Sequence, residues 1–410
     1  MAERMDDGAY TNAVTGMGTI EMDKAEHVRA SAYSGADLRE LAKMKVQDGV
    51  AARIVESVPE SALKHDISII GDADGRAFKE CSRKGLIEAL RKAGEAQRLT
   101  GGAVIVTEYE DDTHVSEPPP ARGKVEGYRV YSAGAVELSV TDFDGERPKR
   151  FNVRRMDGKS VPVSSERVVV VHGKTLPDVI ASSYSIGEAF FGTGFLKPAE
   201  QAIKDLAATF GSAVSMAQEN GLSIFRFDGL NQMMSRPGCG VDDLQKLMSV
   251  VKFGMSSMRA VYLGAGDSFD FKSHSFGGIP ELLQKLVNRV SACCGIPVSI
   301  LFGQSATGLA QTNEGDTKAY FDLVSNWRSN YLYRPAERLV ADIARRNLGM
   351  DMGEFEWGSL YEMTDSEMNE AMAKQAEYLT KYIQNGVITP DEVRAGVFVN
   401  GHSFNISVEG

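Results

Sequence analysis

GIPVSILFGQSATGLAQTN, residues 295–313, contains no charged residue and ends in a cluster of Gly, Ser, Thr, Gln and Asn. Such a loop offers polarity without charge. It opens a long helical segment in which Tyr320, Leu323, Val324, Trp327, Tyr331, Leu339 and Ile343 recur at three- and four-residue steps, the stripe of an amphipathic helix. Pro335 interrupts that stripe and predicts a kink, because proline lacks an amide donor and its ring crowds the preceding turn. Upstream, PELLQKLVNRVSACC at 280–294 reads as a helix. Before it, Gly194 to Asn220 carries Leu196, Ile203, Leu206, Phe210, Val214 and Ala217 at roughly helical spacing, with Pro198 near its start and Asn220-Gly221 as a stop. Between the two lie LSIFRF at 222–227, a Gly/Pro-rich turn, a helical run from Val241 to about Met255, and RAVYL at 259–263. The middle of the chain is thus a β-α-β insert bracketed by two helices, a hairpin with a tip.

Working toward the N-terminus, Val136 to Val140, Phe151 to Met156 and Arg167 to His172 are short strand-like runs bounded by turn formers, which predicts a small antiparallel sheet. The stretch EDDTHVSEPPPARGKVEGYRVYSAG, 110–134, has three successive prolines and reads as an exposed excursion. LTGGAVIVTEY, following a helix over 85–99, reads as a turn into a buried strand. A pair of amphipathic helices runs from Ser34, a capping residue, through Leu38, Leu41, Val46, Val50, Ile54 and Val55, with Pro59 closing the second. The residues before about Tyr33 show no periodicity and read as an arm, either floppy or ordered on assembly.

At 410 residues the chain exceeds what one core usually organises, and 43% hydrophobic with 25% charged residues is an ordinary folded composition. A formal net charge of −11 is the wrong sign for a protein that grips phosphate backbones by counterion release. Cys81, Cys239, Cys293 and Cys294 show no metal-ligand spacing, and a reducing compartment is expected. No apolar run reaches membrane-span length, and the first thirty residues do not resemble a signal peptide, so no membrane association is expected.

Catalytic signals are thin. MDGKS at 156–160 resembles the end of a phosphate loop, but Val153 occupies the place of its first glycine. GTG at 192–194 is a lone G-x-G, and SALK at 61–64 matches a serine-lysine spacing that arises by chance. The histidines at 27, 65, 114, 172, 274 and 402 are never paired at i, i+4. No catalytic residue, metal site or cofactor is assigned. Trp327 and the neighbouring tyrosines read as core rather than base-stacking platforms, and Arg147, Lys149, Arg150, Arg154 and Arg155 as a solvated strand face.

The C-terminal half resembles the tailed-bacteriophage portal proteins, in their phage-associated branch. GIPVSILFGQSATGLAQTNEGDTKAYFDLVSNWRSNYLYRPAERLV is similar to that family's G-I-P-x-x-x-L-F-G-x-S-x-x-G-L run and D-x-x-x-Y helix. FEWGSLYEMTDSEMNEAMAKQAEYLTKYIQNGVITPDEVR, 355–394, resembles its F-x-W-x-x-L strand, alanine-rich helix and G-V-I-T-x-x-E-V-R close, and YSGADLRELAKMKVQDGVAARIVESVP, 33–59, its opening helices. Gln311-Thr312-Asn313 departs from the Asn-Ala-Thr-Gly often found there.

The resemblance implies a multidomain α+β portal fold. Its parts would be an N-terminal arm at 1–32, a wing at 33–193, stem helices at 194–220 and 271–294, and a clip at 221–270. A tunnel loop at 295–317, a long kinked wing helix and strand at 318–363, and a helical crown at 364–410 would complete it. It also implies a ring of copies of this chain, commonly twelve, at one vertex of a virion assembled in the host cytoplasm. Double-stranded DNA would enter and leave through that ring without sequence-specific binding. Partners would be the terminase large subunit, a head-completion or adaptor protein, and capsid and scaffold proteins. Gln304, Ser305, Thr307, Gln311, Thr312 and Asn313 would face DNA from the tunnel loop; Leu206, Phe210, Leu286 and Val290 would pack the stem. Twelve copies would carry roughly 130 negative charges, against adhesion of a polyanion. The competing classes are an anti-defence phosphodiesterase and a capsid adaptor or scaffold. The enzyme needs two His-x-Thr or His-x-Ser pairs, and none is expected, since His172, His274 and His402 are followed two residues on by Lys, Phe and Phe.

Overall fold

The computed structural model describes residues 38–110, 113–145, 147–218, 222–226, 268–272, 277–303, 314–361, 365–390 and 393. The predicted arm and the Ser34 cap lie outside them. Helices α1 (Leu38–Gln47) and α2 (Gly49–Ala62) form the predicted pair. The Asp48 carboxylate caps α2, accepting from the backbone N–H of Val50 at 2.8 Å and of Ala51 at 2.9 Å. Ala51, Ile54, Val55, Val58 and Ala62 repeat at helical spacing and are all buried. Pro59 does not close α2, which runs on to Ala62. A proline there forfeits one intrahelical bond, and its own ring is buried.

Strand β1 (Ile67–Ile69) is followed by α3 (Arg76–Arg83) and α4 (Leu86–Thr100). Next comes β2 (Gly102–Tyr109), the predicted buried strand. Its side chains alternate between two cores. Ala103, Ile105 and Tyr109 join the main cluster with the helices, while Val104 and Val106 join a second one. A strand covered on both faces reads as an unbroken apolar run. Strand β3 (Val125–Ser132) pairs antiparallel with β2, from Ala103 opposite Ser132 to Tyr109 opposite Val125. The second half of the excursion read at 110–134 is therefore an edge strand of this sheet, with Val125 buried.

Strands β4 (Val136–Glu137), β5 (Phe143–Asp144), β6 (Arg147–Pro148), β7 (Arg150–Arg154), β8 (Ser160–Ser164) and β9 (Val168–His172) follow. The one small antiparallel sheet expected is divided. β7 lies between β4 and β8, whereas β9 pairs with the far edge of β2, giving the order β3-β2-β9. Val136, Phe151, Val153 and Val163 fill the second core beside Val104 and Val106. The MDGKS run is the tight turn joining β7 to β8, with Arg154 opposite Ser160 and Gly158 at φ 78°, not a phosphate loop.

Short helices α5 (Asp178–Ala181) and α6 (Ile186–Phe191) lead to α7 (Glu200–Gln218), and β10 (Leu222–Arg226) pairs antiparallel with β11 (Ser268–Lys272). The β-α-β pattern has LSIFRF followed by a helix and by RAVYL at 259–263. The described partner is 268–272, and the predicted helix and RAVYL strand lie outside the described residues. Helix α8 (Ile279–Cys294) is followed by α9 (Val298–Phe302) and α10 (Glu314–Trp327). The long helix is broken before Pro335 by a π-turn over Arg328–Leu332, where the Tyr333 N–H donates to the Arg328 carbonyl five residues back. Helix α11 (Tyr333–Ile343) resumes, and a second π-turn at Ala344–Leu348 ends at Gly349. Strand β12 (Phe355–Trp357) returns to pair with β1, tying the end of the long helix to the N-terminal helices. Helix α12 (Asp365–Gln384) is exposed along nearly its whole described length.

Asn347 ties three elements together: its Nδ2 donates to Glu80 Oε1 at 2.8 Å and to the Val125 carbonyl at 3.1 Å, and its Oδ1 accepts from the Val125 N–H at 2.8 Å. Arg83, and then Asn347, hold the Glu80 carboxyl down at about 2. A carboxyl lowered from 4.5 on folding stabilises the protein fully above that pH and loses its contribution as pH falls toward 2. Glu80→Gln should therefore flatten the acid side of the stability profile in that window, read by denaturant midpoints. Arg83 is well exposed, so screening limits the effect to about 1 kcal/mol.

Candidate functional site: a projecting helical hairpin and the feet of the polar loop

Helix α7 carries the chain out to β10, and α8 brings it back from β11. Near its start α7 is anchored: Ala202, Ile203 and Leu206 lie in the main core with Val287, Val290 and Cys294 of α8. Val290 is 0% exposed, and Leu286 is half-buried against the same core. Further along, the hairpin buries little. Phe210 is 48% exposed, Val214 54%, and Leu282 on α8 49%. Of the four residues assigned to stem packing, the structure thus brings Leu206, Leu286 and Val290 into the subunit's own core and leaves Phe210 on the surface.

Arg289 of α8 reaches across to Asp205 of α7, and further polar pairs run along α7 itself. Arg289 donates to Asp205 Oδ2 at 2.7 Å, Gln201 to Asp205 Oδ1 at 2.7 Å, and Lys204 to Glu200 at 2.6 Å. Arg289 is about half exposed, and pairs of this kind are worth roughly 0–1 kcal/mol. Arg289→Ala is accordingly expected to shift the unfolding midpoint by no more than that, a small change in a denaturant titration.

Gln304, Ser305, Thr307, Gln311, Thr312 and Asn313 all lie outside the described residues. The two feet of their loop are defined. On one side α9 ends at Gly303, at φ 68°, and the Leu301 carbonyl accepts from Arg53 Nη1 at 3.0 Å. On the other, Asp316 Oδ2 accepts from Ser299 Oγ at 2.6 Å, clamping α10 to α9. Arg53, Ser299 and Asp316 were not singled out from sequence. Arg53 lies 248 residues before its acceptor, and no local pattern encodes such a pairing.

The bland assignments hold for several motifs. Trp327 is buried and its Nε1 donates to Gln97 Oε1 at 3.2 Å. The Ser61 hydroxyl lies 2.9 Å from that of Tyr320, which donates to the Ser57 carbonyl at 2.8 Å, so SALK ends a packed helix. In the basic run, Arg150 pairs with Asp142, Arg154 with Glu137 and Lys149 with Asp144. One His-x-Ser pair does occur, contrary to expectation: His114 Nδ1 lies 2.8 Å from Ser116 Oγ on the exposed segment. The sequence holds no second one.

Buried ionisable groups serve packing. Burial pushes the Cys81 thiol up to about 12, which makes it a poor nucleophile. Arg98 is 1% exposed; burial lowers it to about 10, and its Nε and Nη2 both donate to the Ile54 carbonyl, at 3.0 and 2.7 Å. Its guanidinium also lies 4.6 Å from the Phe195 ring centroid. Among the described residues no group of His, Cys, Asp and Glu could hold a metal ion, and no helix is long and apolar enough to cross a membrane.

A mixed helix-and-sheet subunit with a projecting hairpin and a long broken helix is a portal-type fold. It superposes on a chain of the structure titled "Virion of native gene transfer agent (GTA) particle" with TM-score 0.54 at 14% identity, covering 88% of this chain and 93% of that one. The same figures hold for a chain of "Neck of empty GTA particle computed with C6 symmetry". The chain belongs to the phage portal protein family, whose profile matches residues 40–381. It is 25% identical over 405 residues to the anti-CBASS protein Acb1 of Sphingomonas paeninsulae, which covers 94% of this chain and 64% of the relative. Against the protein of that name from Caulobacter sp. (strain RHG1), 25% identity extends over 89% of this chain and 61% of the relative. The chain thus spans less than two thirds of the length of these two curated relatives. An uncharacterized Haemophilus influenzae protein is 26% identical over 339 residues, covering 79% of this chain and 73% of the relative.

Proposed function

We propose that the chain is the repeating subunit of a ring at one vertex of a phage capsid, through which double-stranded DNA is packaged and ejected, and that it acts as a conduit rather than an enzyme. The observation that carries this reading is the family match over 40–381. The hairpin supports it: Phe210, Val214 and Leu282 are apolar and exposed on a projecting element, the expected state of a single subunit whose neighbours cover them in a closed ring. The likeness to chains of a virion and of a particle neck is in keeping with a place in the virion. The uncharged loop at 304–313 would then offer DNA weak, replaceable hydrogen bonds, each worth on the order of 1 kcal/mol. Terminase, a head-completion adaptor, capsid and scaffold proteins are the partners such a ring requires.

Negative-stain microscopy and mass measurement of the purified chain test the reading. Rings of a fixed subunit number are expected; a monodisperse monomer under assembly conditions would reject it. The relatives named anti-CBASS protein motivate a second reading, a phosphodiesterase. The single His-x-Ser pair at His114 speaks against it, and we place any such activity in the part of those relatives that this chain does not span. Hydrolysis of a cyclic nucleotide by the purified chain would reverse that placement.

A further inference from the structure

A cavity of about 400 Å³ lies between the α11 segment, β2, the start of β9 and Pro119, away from the hairpin and the loop feet. Its charged lining is Arg167, Arg338, Arg345 and Arg346 against Glu166 and Asp342. The floor is built and internally satisfied. Tyr109 donates from its hydroxyl to Asp342 Oδ2 at 2.8 Å, and its ring lies 4.5 Å from the Arg346 guanidinium and 5.4 Å from that of Arg167. Arg346 also donates to Asp342 Oδ1 at 2.7 Å and to the Pro120 carbonyl at 2.7 Å. Arg167 is buried, donating to the Glu117 carbonyl at 2.7 Å and to Thr113 Oγ1 at 2.6 Å. Asp342 is thereby neutralised.

Arg338 and Arg345 remain at the mouth, exposed and two turns apart on one helix face. Among the described residues Arg345 meets Asp351 in a long, exposed contact at 3.4 Å, which a stronger anion displaces easily. We propose that this cavity binds a small, multiply charged phosphate compound through Arg338 and Arg345. Guanidinium forks match phosphate oxygens. The volume sits at the small end of ligand pockets, too small for a duplex. The surplus of positive charge is local to a chain of net charge −11, so a small polyanion meets repulsion elsewhere and attraction here.

Inorganic pyrophosphate is the probe, titrated calorimetrically into the full chain at low salt. Saturable binding is expected, weakened about tenfold in Arg338→Ala and in Arg345→Ala; both residues are exposed, so the fold should tolerate the changes. Asp351→Asn, which frees Arg345, and Glu166→Gln, which removes a rim carboxylate, should each tighten it. Absence of heat at millimolar pyrophosphate overturns the proposal, as does equal binding by wild type and both arginine variants. A short DNA duplex that displaces the pyrophosphate would overturn the assignment to a small molecule.

Discussion

Gly173→Ala is expected to leave little folded protein. At this residue the strand end of β9 crosses the turn between α4 and β2, and a Cβ placed on Gly173 would stand 2.3 Å from the Gly101 carbonyl oxygen and 2.7 Å from that of Thr193. These are backbone atoms held by other bonds: Gly173 N–H donates to the Phe191 carbonyl at 2.8 Å, and Lys174 and Thr193 exchange a pair of bonds at 3.0 and 2.9 Å. Nothing at the end of a flexible side chain can move aside. Relief requires separating β9 from the β2 edge, and the cost is about 3 kcal/mol or more, a large share of the roughly 5–15 kcal/mol of a typical domain. Gly101→Ala should be as severe, since its φ is 90° and its Cβ would meet the Gly192 carbonyl oxygen at 2.3 Å. Gly211→Ala is the matched control: it lies in α7 with nothing within 4 Å of its added Cβ, and a gain of about 0.5–1 kcal/mol is expected. Denaturant unfolding of the three variants decides the matter. A Gly173→Ala protein with the wild-type midpoint would show that these segments do not cross so closely.

That crossing also shows where sequence stops being informative. GTG at 192–194 and the glycines at 101 and 102 are visible as turn formers, yet their need is set by segments some 70 to 90 residues away, and no local pattern encodes a backbone contact at that separation. Periodicity served well where one side of an element is buried continuously: α2, α4, β2 and the stripe through Tyr320, Val324, Trp327 and Leu339 are where their spacing put them. It failed where a strand abuts a breaker. VEGYRVYS follows three prolines and contains a glycine, so composition argued against a strand that β2 supplies with a full antiparallel register. The strand at 268–272 is not legible from the sequence, because pairing between strands separated by a long insertion has no signature in either strand. Around the candidate site the helices of the hairpin were legible. The ties that position the loop, Arg53 to Leu301 and Ser299 to Asp316, were not, since each joins a surface-type residue to an element whose position only the fold determines.

Val290→Asp and Phe210→Asp separate the two roles that a stem residue can have. Both introduce a carboxylate on the hairpin, but Val290 is fully buried among Val287, Cys294, Leu206 and Ile203, while Phe210 is about half exposed. Arg289, the adjacent basic group of α8, faces outward to Asp205, and the buried Arg98 guanidinium, which acts on Cys294 one turn away, is already taken up by the Ile54 carbonyl. An unpaired charge there costs several kcal/mol, about 3–5 by comparison with broken buried pairs, and the subunit itself should fail to fold or lose the hairpin. At 210 the carboxylate stays in water in the isolated subunit, so the unfolding midpoint should hold to within about 0.5 kcal/mol of wild type. In a ring the same position would be covered by a neighbour, and the desolvated charge should abolish or sharply reduce assembly. The expected pair of results is therefore loss of folded protein for Val290→Asp, and a folded, monomeric Phe210→Asp. A Phe210→Asp protein that assembles as wild type would place the subunit contact elsewhere than on the exposed half of α7. A stable Val290→Asp protein would contradict the packing of α8 against the core that holds the hairpin in place.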